Sequence, residues 1–375
     1  MIDSAKVLTS ERGCSRIKSI YMFLQKIALQ NFRNYTLSVF DLEPGVNLLV
    51  GPNAIGKTSV VEAIHLLSTG ESFRANKIGE MVRFDQELAR IKAKSDDDET
   101  LEILLNHGVV VGKRTKKRHF ILNGAKKRKK DFVGLFYSVV FRPEDMRLIE
   151  GSKSRRRKFM DESLSILDWR YARSLKMYEE ALLKRNKLLW QIKEGFVPET
   201  TLKYWNLTIV KHGTYLQEKR QSFLDFFARV EFPLDFAVEY QPSIISNERI
   251  DQYQPKAIMV GRSLIGPHKD DFIVKLANGG KKTNASFDVA IYGSRGQQRM
   301  AVLWLKTCQL QYLEEKSEQK VLLLLDDILS ELDSAMKEKV LTLLEGRQSI
   351  ITSADDGAIV EIKKHLKKIN LIDLD

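Results

Sequence analysis

Cysteine is nearly absent: Cys14 and Cys308 are the only two in 375 residues. That usage excludes a disulfide framework and fits a reducing cytoplasm. No C-x-x-C pair occurs, and the six histidines show no ligand spacing, so the sequence offers no zinc-type site. Long apolar runs are missing too. The strongest, Val321–Leu325, runs straight into Asp326 and Asp327, so no segment can span a bilayer. Residues 1–21 carry mixed charge and no apolar h-region, so they are not expected to act as a signal peptide. They are expected to form a disordered N-terminal extension, because patterned sequence begins at Met22. No internal repeat is present. Hydrophobic content of 43% and charged content of 29% are ordinary for a globular chain, and the length suits two domains.

Acidic residues are missing from two places, and this localises the net charge of +12. Lys113, Arg114, Lys116, Lys117, Arg118, Lys126, Lys127, Arg128, Lys129 and Lys130 form one set with no acid among them. Lys153, Arg155, Arg156, Arg157 and Lys158 form a second. These fifteen exceed the whole net charge, leaving the remainder at −3. A basic excess confined to short stretches reads as an electrostatic footprint for a polyanion.

The chain is organised around Gly51-Pro52-Asn53-Ala54-Ile55-Gly56-Lys57-Thr58, a G-x-x-x-x-G-K-[ST] loop followed by Ser59. An apolar run, Val46–Val50, precedes it, and Ser59–Leu67 has apolar residues at helical spacing. The motif therefore sits between a strand and a helix, the context it needs. Its glycines let backbone N–H groups turn onto phosphates, and the helix start adds partial positive charge. Lys57 is placed to reach the β- and γ-phosphates, and the Thr58 hydroxyl to ligate Mg²⁺. Further on, Val321–Asp327 reads as an apolar strand ending in two carboxylates, the Walker B pattern of phosphate-loop hydrolases. In that role Asp326 holds Mg²⁺, and Asp327 orients or deprotonates the attacking water.

Between these halves the periodicity changes. Ahead of the loop, Phe23–Phe32 reads as an edge or half-buried strand and Leu37–Phe40 as a short one. After it, strands over Leu88–Ala93, Leu101–Leu105, Val109–Val111 and Phe120–Leu122 suggest an antiparallel sheet, with the first basic set on the turns between and after the last two. From Ser154, apolar residues at 3–4 spacing from Leu164 to Ile192 predict one long amphipathic helix, stopped by Gly195 and Pro198. A second runs from Leu202 to near Pro233. Together they predict an arm of about 40 and 30 residues, reaching about 60 and 45 Å. Tyr292-Gly-Ser-Arg-Gly-Gln-Gln298 precedes a helical run, Arg299–Leu313, and makes a second anion-binding helix start.

That last segment resembles the signature motif of ATP-binding-cassette ATPases, with Ser294, Gly296 and Gln297 at the matching places. Leu329–Asp333 resembles the D-loop of the same class. Ile350–Ser353 falls at the switch position, without the histidine of transporters. Lys57 and Asp326 lie 269 residues apart, more than a transporter ATPase needs and far less than SMC coiled coils occupy. With Leu29–Tyr35, Phe141–Asp145, Arg155–Asp161, Gly266–Asp271, Gly293–Arg299 and Leu325–Asp333, the chain resembles the RecF family from about Phe23 to its end. Ala54 departs from the glycine common there, and residues 1–21 have no counterpart.

The resemblance implies an α/β fold: an ABC-type P-loop ATPase head, with a mixed sheet plus an antiparallel β subdomain, and an inserted helical arm domain. It places the head at 22–150 and 262–375 and the arm at 151–261. It implies weak ATP hydrolysis and ATP-dependent homodimerisation, with Ser294, Gly296 and Gln297 facing the other subunit's γ-phosphate. Arg33 and Asn34 would contact the nucleotide's phosphates or base edge. ATP and Mg²⁺ are the implied cofactors. The implied partners are DNA at gaps and single-/double-strand junctions, RecR and RecO, and indirectly RecA, in gap repair, replication restart and the SOS response. No membrane partner is implied. A small SMC-like chromosome ATPase and a transporter ATPase subunit are the competing readings. The first predicts a far longer arm and the second no localised DNA-binding charge. The residues of Gly266–Asp271 admit either a structural turn entering a strand or a catalytic role.

Overall fold

The computed structural model describes residues 22–277, 286–329, 332, 334–354, 365–366 and 368–374. The expectation for residues 1–21 lies outside them, as do Ser330, Glu331 and Asp333 of the D-loop segment. Two sheets make the head. One is antiparallel, in the order β2 (Tyr35–Asp41), β1 (Leu24–Phe32), β4 (Leu88–Ser95), β5 (Thr100–Asn106), β8 (Arg118–Leu122), β9 (Ala125–Lys127). The other is parallel, in the order β10 (Ser138–Phe141), β14 (Leu322–Asp326), β15 (Ser349–Ser353), β3 (Val46–Val50), β16 (Ile369–Asp373). The parallel strands read as unbroken apolar runs because both their faces are covered. Leu49, Leu324 and Ile350 pack with α1 (Lys57–Thr69) and the antiparallel sheet. Leu48, Leu323, Leu325 and Ile351 face the other way, toward α9 (Arg295–Ser317) and α10 (Ser334–Leu344). Short helix α2 (Lys129–Phe132) links the two sheets, and α3 (Arg147–Glu150) leads into the arm.

Three expectations need correction. The long helix is two: α4 (Lys153–Leu167) and α5 (Trp169–Lys193). Asp168 breaks it by adopting an extended backbone and capping α5, its carboxylate accepting from the Arg170 N–H at 2.8 Å and from the Tyr215 hydroxyl at 2.7 Å. An N-cap carboxylate satisfies a helix-start donor without glycine or proline, so apolar spacing runs through the break unmarked. With α6 (Lys203–Phe226) as the returning helix, the arm's two long helices have 25 and 24 residues, about 38 and 36 Å. The Val109–Val111 strand is instead one side of a separate hairpin, β6 (Val109–Val110) with β7 (Lys113–Arg114), and Val111 sits in its turn at φ 47°. Finally, much of the first basic set lies within β7, β8, β9 and α2 and not on turns.

The arm is welded to the head by aromatics and by an ionic hub. Phe223 of α6 meets Tyr312 of α9 and Phe227, both at 4.8 Å between ring centres, and Phe227 meets Trp304. Each such pair contributes about 0.5–1.5 kcal/mol beyond its buried area. Beside them a small sheet, β11 (Phe236–Gln241), β12 (Asp271–Ala277) and β13 (Ser286–Asp288), leads through α8 (Val289–Tyr292) into α9, while α7 (Asn247–Val260) packs along α5. At the entry to β12 stands the Gly266–Asp271 turn. Arg220, 2% exposed, donates to Asp161 at 2.9 Å, to Asp270 at 2.8 Å and to the Pro267 carbonyl at 2.8 Å. Asp270 also accepts from Tyr240, Gln217 and the Ser243 N–H. Gly266 has φ 119°, and a Cβ there would stand 2.6 Å from the Tyr178 hydroxyl, which bonds His268 at 2.7 Å. Burial works against charge on Arg220, but Asp161, Tyr171 and Asp270 outweigh it and hold its pKa above the ordinary value. The turn is thus a structural anchor between arm and head.

Candidate nucleotide site

The carboxyl ends of β3, β14 and β15 come level in the sheet: Asp326 pairs with Thr352, and Ser353 with Val50. A crevice outside such strand ends is where parallel α/β sheets take ligands. Here it is a cleft of about 730 Å³ lined by the phosphate loop, by Arg33 and Asn34, and by Asp327 and Thr352. The loop must coil tightly to enter α1. Gly56 takes φ 124°, and a Cβ on it would stand 2.7 Å from Tyr35 Oη. Gly51 takes φ 151°, and its Cβ would meet the Leu374 carbonyl oxygen at 2.6 Å. Ala54 sits at φ 68°, a region where a β-carbon costs roughly 1–2 kcal/mol. No side chain caps α1, leaving its N-terminal end to favour an anion.

Lys57 Nζ donates to the Gly51 and Pro52 carbonyls at 2.6 and 2.9 Å, which holds the ammonium over the loop. Thr58 Oγ1 donates to Asp326 Oδ1 at 2.9 Å, and Thr352 Oγ1 donates to the same oxygen at 3.1 Å. Burial raises the Asp326 pKa, and those two hydroxyls oppose the rise. Asp327 is exposed, in the left-handed region at φ 52°, with its N–H donated to Thr352 Oγ1 at 2.9 Å. Hydroxyl and carboxylate oxygens beside one another suit a hard cation such as Mg²⁺. Gly51 and Gly56 at positive φ, each with no room for a Cβ, coil the loop as a polyphosphate cradle requires. The residues present therefore fit Mg²⁺ and a nucleoside triphosphate, with Thr58 and Asp326 as the metal's holders.

Arg33 and Asn34 line the cleft but are engaged with protein. Arg33 makes a two-pronged pair with Glu62, at 2.8 and 2.6 Å, and donates to the Glu80 carbonyl at 2.7 Å. Asn34 donates to the Ile55 carbonyl at 2.6 Å, behind the loop. Glu62 is fully buried in α1 and also accepts from Ser72. Sequence reasoning missed it; the only signal was a lone carboxylate on the apolar face of α1. The same reasoning marked Phe141–Asp145 only as part of the resemblance and gave Arg142 and Asp145 no role. There Lys306 of the signature helix pairs with Asp145 at 3.2 Å, and Arg142 stacks on Phe73 at 4.4 Å.

The cleft lining holds no residue of the signature segment. Ser294 caps α9 in a reciprocal box: its hydroxyl accepts from the Gln297 N–H at 3.3 Å, and Gln297 Oε1 accepts from the Ser294 N–H at 2.9 Å. Ser294 and Gly296 are exposed. A Cβ on Gly296 would meet only the Ser294 hydroxyl, at 4.0 Å, so nothing within the described chain demands glycine there.

The basic sets divide sharply. Arg118 and Lys129 pair with Glu71 at 3.1 and 2.5 Å, Arg128 with Asp131 at 2.7 Å, and Lys130 lies over the Trp169 ring. Lys113, Arg114, Lys116, Lys117, Lys126 and Lys127 make no ion pair among the described residues. In the second set Arg156 grips Asp271 at 2.7 and 3.1 Å, Arg157 donates to the Asp270 carbonyl at 2.9 Å, and Lys153 and Lys158 have acidic partners. The second set is in large part structural. Among the described residues no three His, Cys, Asp or Glu side chains group as a metal cluster, and no helix is long and apolar enough to cross a membrane.

The RecF/RecN/SMC N terminal domain family model matches residues 23–371. The DNA replication and repair protein RecF of Caldanaerobacter subterraneus subsp. tengcongensis is 34% identical over 353 residues, covering 88% of this chain and 94% of that one. RecF of Bacillus thuringiensis (strain Al Hakam) is 31% identical over 379 residues, covering 93% and 97%. Among solved structures, the recombination mediator protein RecF of the RecFOR pathway superposes in its RecF-ATPrS form with TM-score 0.78, 31% identity, and coverage of 89% and 93%. Its RecF-ATP form gives TM-score 0.77, 31% identity, and coverage of 89% and 92%.

Proposed function

The chain belongs to the RecF family, and from that premise we propose that it is an ATP-dependent DNA-binding protein of replication and repair. It binds ATP in the cleft, with Lys57 and the loop N–H groups on the phosphates. Mg²⁺ held by Thr58 and Asp326 would draw charge from the phosphate oxygens. Asp327 orients the attacking water, and turnover is slow and serves release. Two copies close on ATP, each presenting Ser294, Gly296 and Gln297 to the other's γ-phosphate. The closed pair holds DNA at gaps and single-/double-strand junctions and works with RecR and RecO to load RecA, in the cytoplasm. Residues 22–150 and 262–375 act as the head and 151–261 as the arm.

One observation carries this reading. The site's two halves lie apart in one chain: the loop and Asp327 line one cleft, with Asp326 bonded to Thr58 beside it, while Ser294 and Gly296 are exposed outside that lining. A glycine that no contact among the described residues explains is what an incoming phosphate would need at Gly296. The test is light scattering with ATP and Mg²⁺, with ADP, and without nucleotide. ATP alone should double the mass, and Ser294→Arg should stay monomeric while still binding ATP. A wild-type protein that remains monomeric at micromolar concentration with ATP and Mg²⁺ refutes the composite site.

A further inference from the structure

Phe84 is 87% exposed, the highest exposure among the large apolar side chains that stand free of the surface. Burying a phenylalanine contributes about 1.5–3 kcal/mol, so a ring held outside the core forgoes that gain. This one is held there by a rigid support. The backbone around it is tied to the end of β1: the Arg33 N–H donates to the Met81 carbonyl at 2.9 Å and the Arg83 N–H to the Asn31 carbonyl at 2.8 Å. Phe32 and Val82 form a bridge. The Gln86 N–H closes the turn on the Arg83 carbonyl at 3.1 Å, with Asp85 left-handed at φ 58°.

The place it occupies is the nucleotide cleft, where Phe84 is the only aromatic among the lining residues. The rest of the lining is loop backbone, charged or amide side chains, two threonines, a serine, Ala54 and Val82. Thr352 of β15 and Asp327, one residue past β14, set the end where the terminal phosphate must lie. The lining left for the rest of a nucleotide is the antiparallel-sheet side, from Arg74 and Gly79 to Val82 and Phe84. A flat, unhydrogen-bonded ring at that end matches a flat, weakly hydrated ligand group, and a nucleobase is that group.

We propose that Phe84 is the nucleobase-stacking residue of the cleft and that it favours a purine, whose larger face gains more from stacking. This rests on the reading that the cleft binds a nucleoside triphosphate. The test is calorimetric titration of the full chain with Mg²⁺ and three ligands: the β,γ-imido analogue of ATP, the same analogue of UTP, and inorganic tripolyphosphate, which has no base. Phe84→Ala should weaken the ATP analogue about ten-fold, within the range of base–aromatic stacking. It should narrow the gap to the UTP analogue and move tripolyphosphate by less than two-fold. Phe84→Trp should bind the ATP analogue within about two-fold of wild type. The inference is overturned if Phe84→Ala binds the ATP analogue like wild type, or loses tripolyphosphate equally. It is overturned also if that variant keeps nucleotide affinity but no longer dimerises, since the ring would then serve the second copy. A wild-type chain that binds none of the three ligands overturns the nucleotide reading itself.

Discussion

The phosphate-loop cleft and the Arg220 hub are both built from charged side chains beside a glycine at positive φ, yet they are opposite kinds of site. In the hub nearly every polar atom is matched inside the protein. Arg220 meets two carboxylates and a carbonyl, and Asp270 accepts from four groups. In the cleft Asp327 is exposed, Lys57 rests on two backbone carbonyls of the loop itself, and Ala54 holds a left-handed backbone without glycine. Satisfied burial makes an anchor. Exposed charge and strained backbone facing a cleft make a site for something that arrives.

The largest effect that separates the two is on stability. Arg220→Met should lower unfolding free energy by about 3–5 kcal/mol, because Asp161 and Asp270 keep their burial without their cation. Asp327→Asn, at an exposed position, should change it by about 0.5 kcal/mol or less. Urea unfolding followed by tryptophan fluorescence measures both. An Arg220→Met protein as stable as wild type would dissolve the distinction.

A smaller effect sharpens it on the surface. Lys126 and Lys127 lie on the exposed edge strand β9 without ion pairs among the described residues, whereas Arg156 and Arg157 are absorbed by Asp271 and Asp270. Replacing Lys126 and Lys127 together by Ala should flatten the slope of log affinity against log salt on duplex DNA by about 1.8, at roughly 0.9 for each phosphate that is no longer neutralised. Lys129→Ala should change it less, since Lys129 is shared with Glu71. Fluorescence anisotropy with ATP present gives the slopes, and an unchanged slope for the double variant removes β9 from the DNA-binding face.

The cleft was legible because its chemistry is local in sequence. Gly51–Thr58 and Asp326–Asp327 each follow an apolar strand, so the motif and its setting could be read together. Two strands of the parallel sheet, β3 and β14, were legible for the same reason. The helix break at Asp168 was not, since a carboxylate cap leaves no glycine or proline. The hub was not, because its members lie up to 109 residues apart between Asp161 and Asp270, and only the fold makes them neighbours. The second basic set looked like a polyanion footprint for a related reason: spacing counts charges but does not show which carboxylate folds onto them. Phe84 carried no pattern at all, since one aromatic in a polar turn differs from a core aromatic only in what surrounds it.

The most direct test of the cleft as a hydrolytic nucleotide site is Asp327→Asn, with ATP affinity and single-turnover hydrolysis measured on the same preparation. Affinity should stay within about two-fold of wild type while hydrolysis falls by about 10²-fold or more, the scale of a lost general base. Hydrolysis at the wild-type rate, with ATP bound normally, would contradict the assignment of Asp327 and of the Walker B strand that presents it.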